Sequence, residues 1–227
     1  MTALRGVSTI PAMVVLCDFD DTAAVQNVAL LLIDRFLPSE GKELRERIRN
    51  KEITLKEYQE RAFSLMREDR DTFKRYVREH ATLREGFVEL VRYCRDHDVT
   101  LAIVTLGLDF YVEAVLEKYG LEDVTHYAVQ SRFNGGVISY AYPFTRPECE
   151  MWGMCKCGIL EMYRAQGHEI IYVGDAMSDT CPASKADLVF ARARLLSYCQ
   201  EKGIPHRELT SFHDVIAELE HRQKSPI

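Results

Sequence analysis

Asp18 and Asp20 stand two residues apart just beyond the apolar run Met13 to Cys17, and Asp175 follows Gly174 beyond a second run, Glu169 to Val173. A third run, Val99 to Thr105, ends at Thr105-Leu106-Gly107, and Lys156 opens a helical pattern between the second and third of these segments in chain order. In an open parallel sheet, ligands gather beyond the carboxyl ends of the strands. One strand end of this kind would read as a surface turn or a helix cap; three together point to a site. Carboxylates meeting at one edge repel each other unless a cation lies among them, and hard oxygen donors suit Mg²⁺. The Thr105 hydroxyl, the backbone N–H groups of Leu106 and Gly107 and the charge of Lys156 would cradle a phosphoryl group beside that cation. Asp18 is then the nucleophile that attacks phosphorus to give an aspartyl-phosphate. Asp20 is placed to protonate the leaving oxygen and later to deprotonate water.

Such a site needs buried strands with helices between them, and the pattern supplies both. Leu188 to Phe190 reads as a fourth strand after Asp187. Helical patterns run over Glu85 to Asp98, Leu108 to Tyr119, Lys156 to Gln166, Arg192 to Lys202 and about Ser211 to His221. Apolar strands alternating with amphipathic helices predict an α/β fold, a Rossmann-like parallel sheet with helices on both faces. From Gln26 to His80 the alternation stops, and charged, amphipathic helical segments such as Ile53 to Tyr58 and Arg61 to Met66 take over. The expected division is an α/β core at 13–25 and 82–227 with a small helical cap at 26–81, inserted after the first strand. In Arg132 to Pro143, Asn134-Gly135-Gly136 precedes an alternating Val-Ile-Ser-Tyr run and predicts a hairpin.

The chain has 227 residues, a net charge of -6, 47% hydrophobic and 28% charged residues, which suits one ordinary folded core and disfavours nucleic-acid binding. No apolar run reaches the roughly 20 residues a membrane span needs. The apolar stretch Ile10 to Cys17 runs directly into Asp18-Phe19-Asp20-Asp21 without a small-residue cleavage site, so it reads as a strand and not a leader. A cytoplasmic protein with seven free thiols is expected. Cys149, Cys155 and Cys157 lie close together, but their spacing is not that of a zinc site, and packed thiols are the expectation. The scattered histidines do not suggest a Cys/His hydrolase.

The segment Asp18-Phe19-Asp20-Asp21-Thr22, Thr105, Lys156 and Gly174-Asp175 with Asp179 resemble the four ordered motifs of the haloacid dehalogenase superfamily of phosphohydrolases. Their order, and the helical insert after the first motif, resemble its phosphoserine-phosphatase-like branch. Leu83 to Phe87, Gly107 to Tyr111, Cys155-Lys156-Cys157 and Ala186 to Arg192 are similar to the methylthiopentenyl-phosphate phosphatases of methionine salvage. The resemblance implies that Asp18 is nucleophile and metal ligand and that Asp20 is acid/base and lends its carbonyl to Mg²⁺. It implies further that Asp175 is the third ligand, that Asp179 supports the metal site, and that Thr105, Gly107 and Lys156 hold phosphate. Polar residues at the start of the insert, Gln26 and Asn27, would face substrate or cap a helix. Arg84 would serve as a helix entry and hinge, while Arg132 and Arg146 would either reach substrate from the hairpin and the loop or be solvated. Departures from the family pattern are Asp21, where glycine is commonest, Ala23-Ala24 after Thr22, Thr105-Leu106-Gly107 in place of Ser-Gly-Gly, and Ala176. None removes a catalytic group.

These observations predict a Mg²⁺-dependent phosphatase acting on a small phosphorylated metabolite, with methylthiopentenyl phosphate and phosphoserine both fitting the cradle and a homodimer as the conjectured assembly. The alternatives are a phosphotransfer mutase on the same scaffold and a regulatory protein that binds a phosphorylated metabolite without turnover.

Overall fold

Met13–Cys17 forms strand β1, all five residues buried, with alternate side chains sent to opposite sides. Val15 and Cys17 enter the larger apolar cluster, while Val14 and Leu16 enter a separate one with Leu160 and Tyr172. That two-sided burial follows from a continuous apolar run and places β1 at the centre of a sheet. The computed structural model describes residues 12–135 and 137–224; Ile10 and Pro11 of the first apolar stretch and Gly136 of the hairpin turn lie outside the described residues.

The other strands are β2 (Thr100–Leu108), β3 (Thr125–Asn134), β4 (Val137–Ala141), β5 (Glu169–Gly174), β6 (Leu188–Ala191) and β7 (His206–Glu208). They form one sheet in the order β4-β3-β2-β1-β5-β6-β7. All neighbours pair in parallel except β4, which runs antiparallel to β3 as a hairpin with Asn134 opposite Val137. The chain leaves β1 towards β2 on one side and towards β5 on the other, so a crevice opens beyond the carboxyl end of β1, where Asp18 lies.

Between β1 and β2 the chain forms α1 (Val28–Phe36), α2 (Pro38–Arg49), α3 (Leu55–Leu65), α4 (Arg70–His80) and α5 (Phe87–Asp96). The first four fall in the segment where the sequence pattern leaves the strand–helix alternation. Their starts are fixed locally: Asn27 caps α1, Thr54 and Glu57 form a reciprocal capping box on α3, and Asp69 caps α4. The insert leaves and returns through paired backbone, with Val25 N donating to the Thr82 carbonyl and Arg84 N to that of Ala23, each at 2.8 Å. Helix α6 (Asp109–Lys118) follows β2 and packs against α4, where Lys74 lies 2.5 Å from Glu117. The core is completed by α7 (Lys156–Ala165), α8 (Thr180–Ala183), α9 (Ala193–Lys202) and α10 (Phe212–Lys224).

Two expectations are corrected, and two strands come from segments that the pattern does not single out. Strand β2 does not stop at Thr105 but continues, with a register shift, to Leu108. Strands β3 and β7 carry too many polar side chains to stand out as buried runs, because β3 is partly exposed and β7 is a three-residue edge strand. Not all seven thiols are free: Cys157 and Cys181 form a disulfide with Cα atoms 6.4 Å apart. The start of α7 and the short helix α8 lie side by side, which brings together residues 24 apart in sequence. Cys17, Cys94, Cys149, Cys155 and Cys199 remain thiols. Among the described residues, no helix is long and apolar enough to cross a membrane.

Candidate active site

Asp18 leaves β1 with its backbone N–H still donating to Val173 of β5 at 2.8 Å, which fixes its position at the strand end. Its carboxylate accepts a hydrogen bond from the Lys156 ammonium at 2.6 Å, and the same ammonium lies 2.6 Å from Asp179. All three side chains are buried. Burial alone would draw the Lys156 ammonium down, but Asp179 and Asp18 outweigh it and hold the lysine charged, above its ordinary range. Burial pushes the Asp18 carboxyl up, and Lys156 draws it back.

Asp179 is occupied on every side. One oxygen accepts from Lys156 and, at 2.6 Å, from the Tyr172 hydroxyl; the other accepts from the backbone N–H groups of Asp175 (3.1 Å) and Ala176 (2.9 Å). Gly174 makes this turn possible, since a Cβ there would stand 2.8 Å from the Asp179 carboxyl carbon. Asp179 therefore lies behind Lys156 as an anchor for the lysine and the turn, and it does not line the cavity that Asp18 and Asp175 face.

The segment Phe19–Ala23 after β1 is a tight turn in which Asp21 has φ +60, the left-handed region that favours glycine. The carbonyl of Asp21 accepts from Arg84 at 2.7 Å and also from Arg192, while Arg84 Nε reaches the Thr22 carbonyl at 2.8 Å. Arg84, expected as a hinge, thus braces the turn after β1 from the segment that returns from the insert. The turn sets Asp20 with one oxygen 2.6 Å from the backbone N–H of Val28 and the other 2.9 Å from the Tyr111 hydroxyl. Burial pushes the Asp20 carboxyl up to about 6, against the lowering effect of these two donors.

A cavity of about 570 Å³ lies above these groups. Its floor holds Asp18, Asp20, Thr105, Leu106, Gly107, Lys156 and Asp175, so the structure brings the sequence-derived cradle together at one end of the sheet. Gly107 N–H donates to the Thr105 hydroxyl at 3.0 Å. The upper wall is largely apolar and comes from the insert, with Leu30, Ile33, Tyr58 and Phe63, closed from the core side by Trp152. Of the two polar residues at the start of the insert, Asn27 lines the cavity, caps α1 and donates to Asp21 at 3.1 Å. Gln26 is the exception: its amide is bonded to Thr82 across the hinge, and it does not line the cavity. Arg132 and Arg146 do not line it either, and Arg146 is paired with Glu161.

Tyr111, Tyr172 and Trp152 escaped the sequence reading. The two tyrosines lie within apolar periodic segments that read as core, and Trp152 lies in a loop segment with no pattern. The only signal for Trp152 was that it is the single tryptophan of the chain.

Among the described residues, Asp18, Asp175 and Asp179 form the one group of three side chains offering ligand atoms within 4.8 Å of one another; Cys149, Cys155 and Cys157 form no such group. Asp175 is pushed up to about 6 by burial and by the neighbouring Asp179 and Asp21. Buried Asp18 and half-buried Asp175, both raised and facing the cavity, with Lys156 shared between Asp18 and Asp179, have the charge excess and the hard oxygen donors that a divalent cation satisfies.

A family model of the haloacid dehalogenase-like hydrolases matches residues 15–183. The chain belongs to this family. The 2-hydroxy-3-keto-5-methylthiopentenyl-1-phosphate phosphatase of Brevibacillus brevis is 33% identical over 95% of this chain and 98% of its own length. The Geobacillus kaustophilus protein of the same name is 32% identical over 92% and 96%. Among solved structures, a probable phosphoserine phosphatase from Vibrio cholerae superposes with a TM-score of 0.72 at 19% identity, covering 95% of this chain and 69% of that one. A phospho-aspartyl intermediate analogue of phosphoserine phosphatase superposes with a TM-score of 0.66 at 18% identity, covering 92% and 99%. At that identity the solved structures establish the fold. The relatives and the family model make this haloacid dehalogenase-like hydrolase a phosphomonoesterase.

Proposed function

We propose that the enzyme hydrolyses the phosphomonoester of a small metabolite through an aspartyl-phosphate on Asp18, using Mg²⁺. The observation that carries this reading is the pairing at the cavity floor of a strand-end carboxylate held by a buried lysine with a second carboxyl, Asp20, raised to about 6. A group titrating there can give and take a proton near neutral pH. Asp18, the Asp20 carbonyl and Asp175 would hold the metal, which would neutralise charge on the phosphoryl oxygens.

The steps taken by the chain's own groups balance. An Asp18 carboxylate oxygen bonds to phosphorus as the ester P–O bond breaks, and Asp20 gives its proton to the leaving oxygen. Asp20, now a carboxylate, takes a proton from water as that water attacks phosphorus. The P–O bond to Asp18 breaks, and inorganic phosphate leaves with Asp18 and Asp20 restored. Lys156, Thr105 and the Leu106–Gly107 backbone hold the phosphoryl oxygens meanwhile.

The shape of the cavity supports a substrate whose remainder is larger and more apolar than serine. Leu30, Ile33, Tyr58, Phe63 and Trp152 offer it contact area. A methylthiopentenyl phosphate, the compound in the name of the bacterial relatives, meets that description and is the substrate proposed. The test is phosphate release from a panel holding that compound, phosphoserine and sugar phosphates, with Mg²⁺ and with excess EDTA, for the wild-type protein and Asp18→Asn. Metal-dependent release that disappears in the variant is the expected result. Near-full activity in Asp18→Asn would overturn the mechanism, and preference for phosphoserine would overturn the substrate class.

A further inference from the structure

The Tyr111 hydroxyl has one hydrogen-bond acceptor of the reacting set within reach, Asp20, and it lies 2.9 Å from one of its oxygens. The ring is fully buried and is clamped between Phe19, with centroids 6.3 Å apart, and Phe110 at 5.5 Å. A buried tyrosine hydroxyl needs a partner, and this ring has no freedom to seek another. Gly107 shows how tightly the arrangement is built. Its φ is not in the left-handed region, so backbone conformation does not demand glycine. A Cβ at 107 would stand 2.0 Å from the Tyr111 hydroxyl oxygen and 2.7 Å from the ring carbon that bears it. The glycine at the phosphate end of β2 is required because the tyrosine passes across it.

The second oxygen of Asp20 is held from the opposite side by Val28 N–H, the first residue of α1. One donor comes from the core and one from the insert, so the carboxyl plane is fixed at both oxygens. A group that must deliver a proton to a leaving oxygen and then accept one from water has to keep one orientation through both steps.

We infer that Tyr111 is a positioning residue for the acid/base Asp20, holding its carboxyl aimed at the leaving oxygen from across the phosphate cradle. This rests on the Asp20 role proposed above. Tyr111 touches neither the phosphoryl group nor the nucleophile in this role; it acts through Asp20 alone.

The experiment uses two esters. An alkyl phosphate leaves as an alkoxide and needs the proton, whereas p-nitrophenyl phosphate leaves as a stable phenolate and does not. In Tyr111→Phe, kcat/KM for the alkyl ester should fall by about tenfold, a fraction of what general acid catalysis supplies, while kcat/KM for p-nitrophenyl phosphate stays within about twofold. Adding Tyr111→Phe to Asp20→Asn should cost nothing further on the alkyl ester, because both changes remove the same function. Thermal melting of each variant checks that the fold is kept. An equal loss on both esters, no loss on either, or a further loss in the double variant would overturn the inference. If Asp20→Asn by itself loses as much on p-nitrophenyl phosphate as on the alkyl ester, the Asp20 assignment fails first and the Tyr111 inference with it.

Discussion

Lys156 Nζ lies 2.6 Å from Asp18 Oδ1 and just as close to Asp179 Oδ1, so one buried ammonium ties the end of β1 to the turn after β5. Lys156→Met would leave the buried Asp18 carboxylate without its donor and Asp179 without its counter-charge, although Asp179 keeps the Tyr172 hydroxyl and two backbone N–H donors. Breaking a buried ion pair on one side costs about 3–5 kcal/mol, and losing the charge that faces the phosphoryl oxygens should lower kcat by about 10²-fold or more. Denaturant titration at pH 7.5 and phosphate release on the same preparation measure the two effects. A variant as stable and active as the wild type would show that the ammonium is dispensable.

The metal site should be linked to protons. Asp20 and Asp175 are both raised from 3.8 to about 6, so the folded metal-free protein holds protons that the unfolded chain releases. The contribution of these groups to stability is full below about pH 4 and falls as pH rises through about 6. A divalent cation at Asp175 must displace that proton at pH 5 and meets a free carboxylate at pH 7.5. The rise in Tm produced by Mg²⁺ should therefore be small at pH 5 and larger at pH 7.5. A shift that is the same at both values would place the cation elsewhere.

The cavity floor was legible in the sequence because its residues follow directly from buried strands. Asp18 and Asp175 each come immediately after a run of β-compatible residues, and parallel topology brings such ends together. What stayed hidden depends on approach in space. Nothing in the periodicity of α6 separates Tyr111, which reaches Asp20, from Phe110 beside it, which is core. Gln26 and Asn27 are alike in type and adjacent in sequence, yet one closes the hinge and the other faces the cavity. The disulfide joins two residues whose separation carries no signal until α7 and α8 are placed.

Asp21 stands in a left-handed conformation that costs a residue with a Cβ about 1–2 kcal/mol. Two guanidinium groups, Arg84 and Arg192, hold its carbonyl there. Asp21→Gly should keep activity within a few fold, since the backbone contacts remain and the strain is relieved, although the bond to Asn27 is lost. Asp21→Val should lose roughly 1–2 kcal/mol and reduce turnover, because a β-branched residue resists the same φ. Comparing melting and kcat for the pair tests the turn itself; if valine is tolerated as well as glycine, the left-handed turn does not govern the placement of Asp20.

Leu30 lies half-buried on the wall that the insert contributes to the cavity. If that wall recognises an apolar substrate chain, Leu30→Ser removes contact area for it while leaving the phosphate cradle intact. A lost hydrophobic contact of this size is worth about 1–3 kcal/mol in discrimination, so kcat/KM for a methylthiopentenyl phosphate should fall by about tenfold or more. Phosphoserine has no apolar chain to lose contact with and should change little. The quantity that decides is the ratio of the two specificity constants, because general damage to the insert would lower both together. An unchanged ratio in Leu30→Ser would mean that the apolar wall shields the reaction from water and does not choose the substrate.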